Sequence, residues 1–264
     1  MPEFELIYHA GIPGRGEFVR LLFEATGTPY KDSALEEGQD AVGPYSDGSF
    51  KDSDKNPLPF APPVLRHGEV VISQTPNLLL YLATHLTTSI DLDAKPKGGQ
   101  EPASKKSKTS PSSVDDPATF HAHALALTAL DATNEIHDLH HPIAVMEYYE
   151  DQKDVAERKA PYFRKDRVPK FFQHFEDNLK RSSSGFLLEN ASYADLVLFQ
   201  TIDGYKFALP NLLARIMPEY PKLEAHYQRV RSAPRIKSYL ESDRRQKYSM
   251  GMFRHYPELD EEKK

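Results

Sequence analysis

Apolar and polar residues alternate over Phe4-Glu5-Leu6-Ile7-Tyr8, placing Phe4, Leu6 and Tyr8 on one side, and this predicts a short strand. A Gly/Pro loop from Gly11 to Gly14 follows. Phe18, Leu21, Leu22 and Ala25 then recur at helical spacing and stop at Gly27, where a C-terminal cap is expected. The chain therefore opens as a strand, a loop and a helix. Further on, Val64-Leu65-Arg66 and Glu69-Val70-Val71-Ile72 flank His67-Gly68 and read as a hairpin. A helix is predicted directly after it, with Thr75 as N-cap, Pro76 at the first helical position, and Leu78, Leu82 and Leu86 along one face. From residue 118 onward the period is helical throughout, over 118–150, 161–181, 192–209 and 221–241; Val168, Phe171, Phe172, Phe175 and Leu179 are the plainest stripe. Ser192-Tyr193-Ala194-Asp195 has the Ser-x-x-Asp form of a helix start. An α/β unit followed by an all-α unit is the expected fold class.

Charge and composition add boundaries. Residues 1–88 hold 6 basic and 12 acidic residues, residues 89–117 hold 5 of each and residues 118–264 hold 22 of each, so the first segment carries the whole net charge of -6. The middle segment, from Asp91 through Lys95-Pro96-Lys97-Gly98-Gly99 to Ser112-Ser113-Val114, is rich in Lys, Ser, Pro and Gly and reads as a flexible linker or insertion. Three regions are expected: a first domain over 1–88, the linker over 89–117 and a helical domain over 118–264. The acidic balance, without a lysine-rich face, argues against a nucleic-acid partner. No stretch approaches the roughly 18 apolar residues of a membrane span, and Met1-Pro2-Glu3-Phe4 lacks a basic start leading into an apolar run. A cytoplasmic address without membrane contact is expected, and the sequon Asn190-Ala191-Ser192 then carries little meaning. The chain has no cysteine, which removes disulfides, thiolate-zinc sites, iron-sulfur clusters and a cysteine nucleophile together.

Several residues stand where chemistry is possible. Gln74-Thr75 lies at a strand-to-helix junction, where unpaired N–H groups either are capped or hold a small anion. Pro63, immediately before a strand, is either an ordinary trans proline or a cis one that frees the preceding backbone to pair with an extended peptide. Tyr8 ends the first strand beside a Gly-rich loop. Arg15 and Arg20 read as surface charges on the first helix, Arg15 also being placed to face a site. His137, His140 and His141 share one helix near Pro142, but no HExxH pattern or third ligand accompanies them, so they read as surface histidines rather than metal ligands. Gly11-Ile12-Pro13-Gly14-Arg15-Gly16 has the wrong glycine spacing for a dinucleotide fingerprint.

The order of these features is more specific than any one of them. A strand ending in Tyr8, a Gly14-Arg15-Gly16-Glu17 helix start, Pro63-Val64-Leu65, a hairpin, Ser73-Gln74-Thr75 before a Leu-rich helix with Tyr81-Leu82-Ala83, and an all-helical second half together resemble a cytosolic glutathione S-transferase. Ser192-Tyr193-Ala194-Asp195-Leu196 is similar to the family's capping motif, and Tyr220-Pro221-Lys222-Leu223 and Pro234-Arg235-Ile236-Lys237-Ser238-Tyr239-Leu240 resemble its late helix pair. The linker, part of 36–56 and the C-terminal tail fall outside the likeness.

The resemblance implies a thioredoxin-like N-terminal domain with a mixed sheet, joined to a helical domain, with glutathione as co-substrate and no metal. It places Tyr8 as the hydrogen-bond donor to the glutathione sulfur, in the tyrosine-type mechanism of the sigma/mu/pi/alpha group, and Arg15 at the following helix start. Val64, after Pro63, pairs with the cysteinyl part, while Gln74 and Thr75 hold the γ-glutamyl end. Phe50, Lys51 and Lys55 fall near the glycyl carboxylate, and Asp131 resembles the acidic residue that reaches the γ-glutamyl amine across a homodimer interface. The electrophile, a small apolar molecule, is assigned to His9, Ile12, Asn134 and Leu139. The implied function is detoxifying thiol transfer; a glutathione-dependent isomerase and a non-catalytic glutathione-binding protein with the same fold are the alternatives.

Overall fold

The computed structural model describes residues 3–51, 55–86, 90–93 and 116–261; most of the expected linker lies outside them. The first unit opens with β1 (Phe4–Ile7), α1 (Gly16–Thr26), β2 (Tyr30–Asp32), α2 (Ser33–Glu36) and α3 (Gly43–Ser46). It continues with β3 (Val64–His67), β4 (Val70–Ser73) and α4 (Thr75–His85). The strands form one mixed sheet in the order β2-β1-β3-β4. β1 runs parallel to β2, with Phe4 opposite Tyr30, and antiparallel to β3, with Ile7 opposite Val64. This is the thioredoxin-like N-terminal architecture that the resemblance implied.

Alternation divides the sheet into two faces. On one, Phe4 meets Phe23 of α1 with ring centroids 5.6 Å apart. On the other, Ile7, Val64 and Val71 are covered by Val42, Tyr45 and Phe50. The covering residues come from a 3-10 turn (Gly38–Val42), α3 and the loop after it, none of which the hydrophobic period indicates. β2 was equally unmarked. It is held as an edge by Lys31, whose Nζ donates to Glu5 of β1 at 3.0 Å, and by Asp32, which accepts from Arg20 Nε at 2.5 Å. α1 ends at Gly27 in the left-handed conformation (φ 66°), as its position predicted.

Two local readings shift by one residue. His67 pairs with Val70, so the hairpin turn is Gly68-Glu69 rather than His67-Gly68. The cap of α4 is Gln74, and Thr75 is already helical, because Pro76 tolerates the second position as well as the first. Arg20, read as a surface charge, is fully buried against Glu17 and Asp32.

The second unit is helical: α5 (Pro117–His140), α6 (Tyr149–Tyr162), α7 (Val168–Arg181), α8 (Tyr193–Ala208), α9 (Pro210–Ile216) and α10 (Pro221–Ser232), with one π-helical turn at Phe163–Arg167. The unit boundary falls within α5, after His123, and residues 248–261 belong to this second unit; α11 (Pro234–Leu240) and the rest of Ser232–Lys247 belong to the first. α8 is buried along nearly its whole length, as suits a helix that is apolar all round. Its start is the expected capping box: Ser192 N–H donates to Asp195 Oδ2 at 2.8 Å, and Leu187 N–H donates to Asp195 Oδ1 at 2.9 Å.

The predicted 118–150 helix stops at His140, before Pro142, and the intervening loop is wrapped around the buried Gln152 side chain, which accepts from Ile143 N–H at 2.9 Å. The predicted 221–241 helix breaks at Ala233, before Pro234. His140 and His141 are buried rather than surface residues; burial pushes the His140 imidazole down to about 3, so it packs as a neutral ring.

Candidate functional site

Tyr8 follows β1 directly and its ring is buried under the turn that starts α1. A Cβ at Gly16 would lie 2.7 Å from Tyr8 Cγ, and one at Gly14 would strike the Tyr8 hydroxyl. The two glycines therefore form a cradle that only they permit, Gly14 also holding a positive φ of 48°. Within the cradle, Arg15 N–H donates to the Tyr8 oxygen at 2.9 Å. Burial pushes the Tyr8 phenol up from its ordinary value, against the opposing pull of the Arg15 amide and of the Arg15 and Arg20 charges. Tyr8 thus stays protonated at neutral pH, and among the described residues nothing accepts its proton.

The peptide bond between Pro62 and Pro63 is cis, the rarer of the two forms open to Pro63. Val64 stands inside the sheet, opposite Ile7 on one side and Ser73 on the other. Immediately before the ladder stand Pro63 and then Pro62, neither of which has an N–H to donate.

Gln74, at the junction of β4 and α4, has φ 75° and ψ 113°. It is the non-glycine residue with positive φ among those described, a conformation costing on the order of 1–3 kcal/mol and found where a ligand or a turn demands it. Beside it the Thr75 hydroxyl is buried without a hydrogen-bond partner, and no side chain caps the first turn of α4. Uncapped N–H groups and an orphan hydroxyl at a helix start are suited to a carboxylate.

The other N-terminal candidates are dispersed. Phe50 is a core residue, stacked on Tyr45 at 4.9 Å. Lys51 is exposed, and Lys55 pairs with Glu69 of the β3–β4 turn at 2.8 Å. In the loop after β1, Gln39 Oε1 accepts from Ala10 N–H at 3.2 Å, and Gln39 Nε2 lies 2.8 Å from His9 Nδ1. Burial lowers the His9 imidazole, so it is a neutral partner there. Ile12 in the same loop is half-buried. Gln39 carries no sequence signal beyond its place in an unpatterned stretch; Glu17 belongs to the recognised helix start, but nothing in the pattern marks its carboxylate, which is fully buried and faces Arg20 at 3.4 Å.

Three candidates lie in the second unit, all on α5. Asp131 is exposed, Leu139 is buried in the helical core, and Asn134 is half-buried with its Oδ1 unpartnered. Among the described residues no group of histidines and carboxylates is arranged to hold a metal ion, and no helix is long and apolar enough to cross a membrane.

Residues 137–243 match the glutathione S-transferase C-terminal domain family. A glutathione S-transferase of Plasmodium falciparum (isolate 3D7) is 22% identical over 242 residues, spanning 89% of this chain and 94% of that protein. Glutathione S-transferase 2 of Onchocerca volvulus is 32% identical over 111 residues, 40% of this chain and 48% of that protein. Among solved structures, the Pi-class glutathione S-transferase of Onchocerca volvulus shares the fold with a TM-score of 0.57 at 18% identity, over 90% of this chain and 92% of that one. These likenesses support the glutathione S-transferase family and a transferase-type function that uses glutathione.

Proposed function

We propose that the chain is a tyrosine-type glutathione S-transferase of the sigma/mu/pi/alpha group, which activates the glutathione thiol for attack on a small apolar electrophile. The observation that carries this reading is the Tyr8 hydroxyl: buried, oriented by the Arg15 N–H at 2.9 Å, and with its own proton uncommitted. A free thiol has a pKa of about 8.5 and only its thiolate is a good nucleophile. Lowering that value by roughly 2 units requires about 2.7 kcal/mol of preferential thiolate stabilisation, within reach of one aimed donor in a partly dry cleft. Tyr8 donates to the sulfur without ionising, and the thiol proton leaves to solvent. The thiolate then forms a C–S bond as the electrophile's leaving group departs with its electron pair, or as an added electrophile takes up a proton.

Binding follows the other groups of the first unit. Gln74 and Thr75 take the γ-glutamyl carboxylate, which gives the orphan Thr75 hydroxyl a partner and offsets the Gln74 strain. The backbone of Val64, after the cis Pro63, is assigned to pair with the cysteinyl part. Arg15 lines the same turn. Lys51 or Lys55 is assigned to the glycyl carboxylate, with Phe50 supporting that stretch from the core. Asp131 is assigned to the γ-glutamyl amine of a partner copy in a homodimer, and His9, Ile12, Asn134 and Leu139 to the electrophile. The protein is proposed to work in the cytoplasm, in detoxification.

Retention on glutathione-agarose and conjugation of an activated aryl halide test the reading. Wild type is expected to be retained and to turn over; Tyr8→Phe is expected to be retained and to lose turnover by roughly 10²-fold at neutral pH, the scale of one removed transition-state donor. Turnover unaffected by Tyr8→Phe would sink the thiol-activation role, and absence of retention would sink the site. Retention of wild type without turnover on aryl halides or isomerisable substrates is the outcome for a binding protein.

A further inference from the structure

The first turn of α1 is anchored from a remote part of the chain. Glu17, its second residue, donates its N–H to the Pro13 carbonyl at 3.0 Å and, more weakly, to that of Gly14 at 3.4 Å. Those bonds close the turn that cradles Tyr8 and carries the Arg15 N–H. The Glu17 carboxylate is fully buried, and three groups converge on it: Arg20 of α1, Tyr239 of α11, whose hydroxyl donates to Oε1 at 2.8 Å, and Arg245, which is ion-paired to the same oxygen. Arg20 extends the network, donating to the Pro13 carbonyl at 3.1 Å and to Asp32 at 2.5 Å. One buried residue thus holds the Tyr8 turn with its backbone while its side chain is held by a segment 222 residues downstream.

Stability alone is a poor account of this arrangement, because a buried ion pair is often no better than an apolar pair of the same volume. What it does supply is a fixed location for the α1 start, and the Tyr8 oxygen is aimed by the amide of the residue two before Glu17. Resting on the proposed thiol-activating role of Tyr8, we infer that Arg245 and Tyr239, acting through Glu17, are positioning residues for the Tyr8 hydroxyl.

The same segment contains an internal control: Arg244 is ion-paired to Glu24 near the other end of α1, away from the turn. The experiment titrates the ultraviolet thiolate band of glutathione bound to the full chain and follows the pH profile of aryl-halide conjugation. Arg245→Gln and Tyr239→Phe are each expected to raise the midpoint of the bound thiol by about half to one unit, a shift of the size one misplaced hydrogen bond produces. At neutral pH kcat/KM should fall by roughly three- to tenfold and recover as pH rises, with KM for glutathione nearly unchanged. Arg245→Lys should bring the midpoint back towards wild type, and Arg244→Ala should leave it in place whatever it does to the melting temperature. If Arg245→Gln does not fold, Tyr239→Phe, which keeps both arginines, is read alone. Variants that are less stable but titrate with wild type would overturn the inference. A wild type that shows neither retention nor a thiolate band would overturn the glutathione reading itself, and the inference with it.

Discussion

Thr75 separates stability from binding within one side chain. Its hydroxyl is buried with no partner, and a buried unpaired polar group costs on the order of 1–3 kcal/mol. Valine has nearly the same shape without that cost. Thr75→Val is therefore expected to leave the unliganded protein as stable as wild type, or more stable by about 1 kcal/mol, in chemical denaturation. If the hydroxyl serves a carboxylate, the same change weakens glutathione binding by about tenfold, equivalent to roughly 1.4 kcal/mol, while Thr75→Ser preserves it. A valine variant that loses stability and keeps its affinity would contradict both halves of this account. Tyr8, Gln74 and Thr75 were legible in the sequence because their places are set locally, at a strand end and at a strand-to-helix junction. Arg20 and Glu17 were not: three residues apart on a helix, they look like a surface ion pair, and what buries them is Asp32, Tyr239 and Arg245.

The turn between β1 and α1 is where element geometry decides whether Tyr8 fits. Gly16 lies in the first turn of α1, where alanine would ordinarily favour the helix by about 1 kcal/mol. Here a Cβ would sit 2.7 Å from Tyr8 Cγ, far inside van der Waals contact. Gly16→Ala is accordingly expected to cost about 1–3 kcal/mol in urea denaturation, the usual range for overpacking, and to reduce conjugation at least as much as Tyr8→Phe does, because the ring must leave its cradle. Wild-type stability and turnover in that variant would show that the turn relaxes freely. Long periodic elements such as α1, α7 and α8 could be read in advance, since each buries a stripe or a whole surface. β2 and the segment from α2 to α3 could not. Tyr30-Lys31-Asp32 is too short and polar to alternate, and Val42, Tyr45 and Phe50 cover the sheet from turns with no period of their own.

Across the whole chain, periodicity shows that residues 221–241 are helical but not which core they join, and the two helices it yields part company. α10 packs in the second unit; α11 packs on α1 in the first. The chain then returns to the second unit, where Asp260 caps α9 by accepting from Asn211 N–H at 2.8 Å and Leu212 N–H at 3.0 Å. The first unit is therefore discontinuous in sequence, and its stability should depend on the returning segment. Ile236 and Tyr239 are fully buried there. At about 1.5–3 kcal/mol for each large buried side chain, the pair contributes a substantial part of the roughly 5–15 kcal/mol that holds a domain together, before the Glu17 and Glu24 ion pairs are counted. A fragment of residues 1–123 loses that packing and leaves the buried Glu17 carboxylate with Arg20 as its one remaining partner of the three. It is expected to unfold in urea without a sharp transition, or at a clearly lower midpoint than the same fragment joined to residues 232–247 by a flexible glycine-serine linker. Equal and cooperative transitions for the two fragments would mean that the returning segment rests on the first unit without supporting it.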